Sequence, residues 1–250
     1  MSPAVDWIHR TCDDGTDIYF VSNQKDETVS MAALFRLPEG RSAVLMDPVT
    51  GERRKAGTSP RVMLTLPPFG SVFVVFGQVQ EDLPGISKTG ESCQVSGKWI
   101  VVFDRKWGGP AQPVEFTRLT DWTDRNELGV KHYSGTAFYR TTFDAPRDWK
   151  EGKHLKLDLG DVREVAEVYV NGVSCGIVWT KPFAVVVKNA KATGNKLEVR
   201  VANLWPNRLA LDASLPEKER LTRTNINPYN QSSALLPSGL LGPVVVTTVR

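Results

Sequence analysis

Ala166–Cys175 reads AEVYVNGVSC, and this stretch decides the fold. Apolar and polar residues alternate up to Val170, the signature of a half-buried strand. Asn171-Gly172 then supplies two residues tolerant of positive φ, as a type I′ hairpin turn requires, and the chain returns as a second strand. Downstream, Leu197–Asp212 (LEVRVANLWPNRLALD) is another alternating strand, read as ending in a polar, Trp-bearing loop. Leu235–Val245 (LLPSGLLGPVV) is a Gly-broken segment that closes on a β-branched terminal strand.

Period two also holds toward the N-terminus. Asp17–Ser22, Ser30–Leu37, Ala43–Met46, Val62–Leu66 and Ser71–Phe76 are short strands. Asp13-Asp14-Gly15, Pro38-Glu39-Gly40, Pro48–Gly51 and Pro67–Gly70 punctuate them. The basic cluster Arg53-Arg54-Lys55 follows one of these turns and reads as a loop tip. Gly77–Cys93 is polar and aperiodic, a linker. A second series of strands follows it: Lys98–Asp104, Ala137–Phe143, Leu155–Leu159, Glu164–Val170, Cys175–Val178, Phe183–Val187, Lys196–Val201 and Val244–Val249. Helix is expected only at Pro216–Leu221, where Pro opens a run free of β-branched residues. With no strand–helix alternation, the expected class is all-β, built as two antiparallel β-sandwich units over residues 1–84 and 85–250.

Composition narrows the function classes. The 250 residues are 41% hydrophobic and 24% charged, the balance of a globular protein. A net charge of +3, evenly scattered, leaves no nucleic-acid footprint. Three widely spaced cysteines and three isolated histidines offer no metal-ligand spacing, so neither metal nor cofactor is expected. No apolar run reaches the 18 residues of a membrane span, and MSPAVDWIHR lacks the apolar region of a signal peptide.

Catalytic motifs are equally scarce. No GxSxG, HExxH, GxGxxG or P-loop occurs. A Ser–His–acid triad would need one of three isolated histidines, and although His132 lies near Ser134 in sequence, a triad there is rejected. Carboxylate pairs serve glycoside hydrolysis. The candidates are Asp121, Asp124 and Glu127, beside Trp122 as a sugar platform, and Asp212 after Asn207-Arg208. An Arg208–Asp212 ion pair that pins the loop is the structural alternative for Asp212. Sugar sites combine aromatic rings with amide, carboxylate and guanidinium hydrogen bonders, which singles out Trp179 and Trp205 at predicted strand ends. Asn171, Asn203, Asn207 and Arg208 are expected to act as internal polar supports.

Ser134–Phe143, Asp158-Leu159-Gly160, Ala166–Gly172, Gly176–Phe183, Gly194–Val199 and Ser238–Val244 together resemble the galactose-binding-like jelly roll of family 2 glycosidases. The Asn203–Arg208 stretch, with Leu221–Thr224, is similar to the C-terminal region of α-L-rhamnosidase-like family 106 glycosidases. Asp47–Gly51 and Leu66–Phe76 likewise resemble the β domain that follows the catalytic barrel in such enzymes. The match departs at Ala210-Leu211-Asp212, where the family pattern has Ile-Gly-Asp. The resemblance implies a jelly roll for the second unit, a plant or microbial carbohydrate as ligand, an upstream catalytic domain as partner, and a bacterial secreted or periplasmic setting for the parent family. It carries over no active site, because the barrel that holds the catalytic carboxylates has no counterpart here.

Two functions therefore remain open. One is a non-catalytic, sugar-binding accessory module of a glycoside hydrolase. The other is a small stand-alone glycosidase with a carboxylate pair in its jelly-roll loops. In the family 2 jelly roll, the loop before the closing Ser-Gly motif helps line the sugar pocket. Here that loop is Thr222–Pro237, rich in Asn, Ser and Tyr, groups that both donate and accept hydrogen bonds. The expected contact set is Asn225, Asn227, Tyr229 and Asn230, with Trp205 or Trp179 as a wall.

Overall fold

The computed structural model describes residues 5–77, 89–230 and 232–249. The chain divides into two compact units, Met1–Lys88 and Thr89–Arg250. The expected 84/85 boundary, like most of the expected linker, lies outside the described residues. The class is all-β, with 45% strand and 9% helix.

The first unit carries β1 (Val5–Thr11), β2 (Asp17–Asn23), β3 (Val29–Leu34), β4 (Ser42–Met46), β5 (Arg53–Thr58), β6 (Arg61–Leu66) and β7 (Ser71–Phe76). Five of them form an antiparallel sheet in the order β1-β2-β7-β4-β5, and β3 pairs with β6. Alternation sends Tyr19, Val21, Val74 and Phe76 inward from the sheet, where they meet Val62, Leu64 and Leu66 of β6 and Phe35. The basic cluster that reads as a loop tip is in fact β5. It is an edge strand, and positive charge on an exposed edge discourages pairing with another chain. β1, the opposite edge, also escapes the sequence reading because nearly all of it is exposed and no alternation marks it.

Asp17 lies at the inward-facing start of β2 and is 5% exposed. Its Oδ1 accepts from the Thr11 hydroxyl at 2.6 Å and meets His9 Nε2 at 2.8 Å, and Arg41 closes on Oδ2. The Thr11 bond, with Arg41 and His9, outweighs the effect of burial and holds the carboxyl down to about 2. Because the folded-state value is depressed, this stabilisation is complete above the ordinary value near 4 and is lost as pH falls toward 2. Asp17→Asn should remove on the order of 2 kcal/mol at neutral pH and flatten the unit's acid unfolding between pH 4 and 2. An acid-titration midpoint unchanged by the substitution would contradict this.

The second unit begins with β8 (Thr89–Gln94), β9 (Trp99–Phe103), β10 (Val114–Phe116) and β11 (Thr136–Phe143). It continues through β12 (Leu155–Asp158), β13 (Asp161–Arg163), β14 (Val165–Val170), β15 (Val173–Val178), β16 (Ala184–Val187) and β17 (Asn195–Ala202), and closes with β18 (Gly239–Gly242) and β19 (Val245–Val249). A six-stranded sheet, β10-β9-β11-β17-β14-β15, faces a four-stranded one, β16-β12-β19-β8. Trp99, Val101, Tyr139, Val168, Val199 and Val201 of the first bury against Leu155, Leu157, Val187 and Val246 of the second. Asn171 (φ 52°) and Gly172 (φ 82°) turn β14 into β15, with Val170 opposite Val173. Asn171 Nδ2 donates to Asn189 O (3.0 Å) and to Asn195 Oδ1 (3.1 Å), tying the hairpin to the fully buried Asn195.

Among the described residues two α-helices interrupt the strands: α1 (Leu128–Lys131) and α2 (Pro206–Ser214). The reading of Leu197–Asp212 as a strand ending in a loop is thus corrected. Pro206 opens α2 at its first turn, the position where a missing N–H costs nothing. The expected helix at Pro216–Leu221 is only a 3-10 turn over Glu217–Glu219, too short to bury any face.

Candidate functional site

α2 leaves the six-stranded sheet directly after β17 and turns an unusual set of side chains inward: Asn207, Arg208, Ala210 and Asp212. Three of the four are polar, and buried polar groups must find partners. Asn207 Nδ2 donates to Leu236 O at 2.8 Å and to Ser238 Oγ at 3.1 Å, while its Oδ1 accepts from Leu236 N at 2.8 Å. Asn203 Nδ2 reaches Tyr133 O at 2.8 Å and the same Ser238 Oγ at 3.0 Å. These two amides thereby stitch α2 to the closing strand.

Arg208 Nη2 donates to Asp212 Oδ1 at 2.5 Å, an i,i+4 pair with both side chains below 10% exposure (7% and 3%). Asp212 Oδ2 accepts from Leu221 N (3.1 Å), Thr222 N (2.8 Å) and Thr222 Oγ1 (2.6 Å). Burial opposes ionisation of this carboxyl, but Arg208 and the Thr222 donors outweigh it and hold the group below the usual range. Its lone pairs are engaged by protein donors, so Asp212 serves as a clamp between α2 and the loop at 221–222. Ser134 is fully buried and accepts from Arg208 N at 3.2 Å; His132 Nδ1 meets Asn207 O at 3.3 Å. Burial lowers the imidazole's pKa, and neither side chain reaches the other as a nucleophile and base would.

The remaining candidate acids cap or pair. Asp121 Oδ1 accepts from Thr123 N (2.9 Å) and Ser238 N (3.0 Å), holding the 3-10 turn at Trp122–Asp124 against the closing strand. Glu127 is bound by Arg125 Nη2 at 2.6 Å and Nε at 3.2 Å, and that bond lowers its carboxyl. Asp124 is exposed within the turn.

The aromatics divide sharply. Trp122 is wholly buried, with Nε1 donating to Tyr139 Oη at 2.5 Å, so it offers no ring face to a sugar and is a core residue. Trp179 (61% exposed) stands after β15, and Trp205 (43%) caps α2. Trp205 is not alone: Trp107, 38% exposed, meets it edge-on with centroids 5.0 Å apart. Trp107 closes a 3-10 turn over Arg105–Trp107, which Gly108 ends in a left-handed conformation.

The Thr222–Pro237 loop spends much of its polarity on itself. Asn227 Oδ1 accepts from Tyr229 N (3.0 Å), and Asn230 Oδ1 from Ser232 N (2.9 Å) and Ser232 Oγ (2.6 Å). Asn227 Nδ2 also reaches Leu209 O at 3.3 Å, which lays the loop along α2. A cleft of about 280 Å³ opens there, lined by Leu209, Asp212, Glu217, Arg220, Arg223 and Asn227 together with Thr222 and Thr224. Of the expected contact set only Asn227 lines it; Asn225, Tyr229, Asn230, Trp179 and Trp205 do not.

A second, larger hollow of about 670 Å³ lies on the outward face of the six-stranded sheet. Register places Arg140 of β11 opposite Glu198 of β17, and Tyr169 of β14 opposite Glu198 on the other side. Glu198 accepts from Arg140 Nε (2.7 Å) and Arg200 Nε (2.8 Å). Arg200 also lies over the Tyr169 ring at 4.1 Å. No sequence motif marks these residues, because their juxtaposition needs the register of three separate strands. The available signal was weak: among the outward positions of these strands, Arg140, Glu167, Tyr169, Glu198 and Arg200 are long and polar, but Thr136, Thr142 and Ala202 are interspersed with them.

The two-sheet sandwich of the second unit is a galactose-binding-like jelly roll. Residues 118–234 match the family model described as glycosyl hydrolase 2 galactose-binding domain-like, and residues 1–59 match the alpha-L-rhamnosidase family model. Among solved structures, the rhamnosidase from Novosphingobium sp. PP1Y is 33% identical and superposes with a TM-score of 0.83, over 99% of this chain and 24% of that one. The "Putative beta-glucuronidase" of Formosa agariphila is 35% identical over 64% of this chain and 16% of its own length. The chain therefore spans about a quarter or less of these relatives.

Proposed function

We propose that this chain is a non-catalytic β-sandwich portion of a glycoside hydrolase, contacting carbohydrate and working beside an upstream catalytic domain. The relatives supply the carbohydrate context, and the state of Asp212 carries the non-catalytic reading. A glycosidase needs one carboxyl kept protonated by a raised pKa and a second carboxylate free to act on substrate or water. Asp212 is the one sequence-selected acid that lines a cleft, and its carboxyl is lowered and engaged by four protein donors.

One observation favours the stand-alone glycosidase: Glu217 lines the same cleft as Asp212. A panel of nitrophenyl glycosides, including the α-L-rhamnoside and the β-glucuronide, separates the readings. No turnover is expected from the purified chain, with free-sugar binding near the millimolar scale, about 4 kcal/mol. Hydrolysis abolished by Glu217→Gln would overturn the proposal.

A further inference from the structure

Resting on the carbohydrate-binding reading, we propose that the outward face of the six-stranded sheet is a binding groove for a carboxylate-bearing glycan chain. The hollow crosses β9, β11, β17 and β14, roughly 15 Å at the usual strand spacing, long enough to seat several sugars of a linear polymer. Four cationic side chains line it, Lys98, Arg140, Lys196 and Arg200, against one anion, Glu198. Glu115 and Glu167 flank the groove and take part of that charge, pairing with Lys98 at 2.8 Å and with Arg200 at 3.5 Å.

The pairing immobilises the arginines more than it uses them up. Glu198 takes one bond from each Nε, so the planar guanidinium groups are oriented before any ligand arrives. Arg140, 57% exposed at its side chain, keeps both terminal amino groups free of described partners. Arg200 keeps Nη2 free of partners among the described residues, since Nε and Nη1 carry its bonds. Guanidinium donors held in a plane suit a carboxylate, and their restriction lowers the ordering cost of binding. Lys196, exposed beside them, forms no ion pair among the described residues.

The occupant follows from the composition of the groove. Of the large hydrophobic residues lining it, Ile100 alone is well exposed, at 40%. A protein partner would need a drier, more apolar centre. A polyuronate offers a carboxylate on each residue for the cations and a C–H face for Ile100.

Affinity electrophoresis of the full chain in gels containing polygalacturonate tests the idea, with gels of neutral dextran and of dextran sulfate run in parallel. Polygalacturonate alone is expected to retard the chain. The double substitution Lys98→Gln/Lys196→Gln, and separately Arg140→Gln, should weaken that retention at least fivefold. A charge-matched pair elsewhere, Lys153→Gln/Lys188→Gln, should leave it unchanged. No retention, equal loss from the charge-matched pair, or retention by dextran sulfate alone would overturn the groove. None of those outcomes touches the non-catalytic reading, which falls only to glycoside turnover.

Discussion

Asp212→Ala is expected to destabilise the second unit by about 3–5 kcal/mol, the range for removing one partner of a buried ion pair. The loss is not mainly that of an attraction. The Arg208 side chain, 7% exposed, would keep its charge with no counterion, and its Nε already lacks a hydrogen-bond partner. The backbone N–H groups of Leu221 and Thr222 lose their acceptor in the same stroke. For a unit of this size such a loss lowers the melting temperature by on the order of 10 °C. Every tryptophan except Trp7 lies in the second unit, so urea unfolding followed by tryptophan fluorescence reads it directly. Asp212→Asn, which keeps shape and acceptor oxygen, should cost less. A fall below about 1 kcal/mol for the alanine variant would mean that the clamp is dispensable.

Gly239→Ala should be comparably severe, about 2–5 kcal/mol, for two reasons acting together. The residue has φ of +104°, a conformation that strains any L side chain by about 1–3 kcal/mol. Its new Cβ would stand 2.5 Å from Trp122 Nε1 and 2.7 Å from Tyr139 Oη, within the hydrogen bond that joins those two buried rings. Overpacking a filled core costs a further 1–3 kcal/mol or so. Gly172→Ala separates the contributions: it shares the positive φ, but nothing lies within 4 Å of its added carbon. It should cost only the backbone strain, about 1–2 kcal/mol. Equal unfolding midpoints for the two variants would show that the clash contributes nothing.

These two sites also mark how far the sequence can be read. The Asn171-Gly172 hairpin is legible because the turn chemistry is local: two adjacent residues must both accept positive φ. β2 and β7 are legible because β-branched and aromatic residues fill them between turn signals, although only burial, and not residue type, alternates strictly along them. α2 is not, because its inward face is Asn207, Arg208 and Asp212 with only Ala210 apolar, the inverse of an amphipathic helix. For Asp212 the sequence offers both a catalytic acid and an ion pair with Arg208 four positions before it, and burial of the two side chains decides for the pair. Trp122 resembles a sugar platform in a polar loop until the Tyr139 hydroxyl, 17 positions away, is found waiting for its indole N–H.

By itself, then, the sequence determined the all-β class, most of the strands, the sharp hairpin and the kinship with glycoside hydrolases, because period, turn residues and short motifs are local properties of a chain. Tertiary structure decided which polar residues are spent. It buried Asp212 and Trp122 in the frame, turned the asparagines at 227 and 230 onto their own loop, and gathered Arg140, Glu198, Arg200 and Tyr169 from three strands onto one open face. Burial and cross-strand register arise from contacts distant in sequence, and they alone separate a polar group that holds the fold from one left free to meet a ligand.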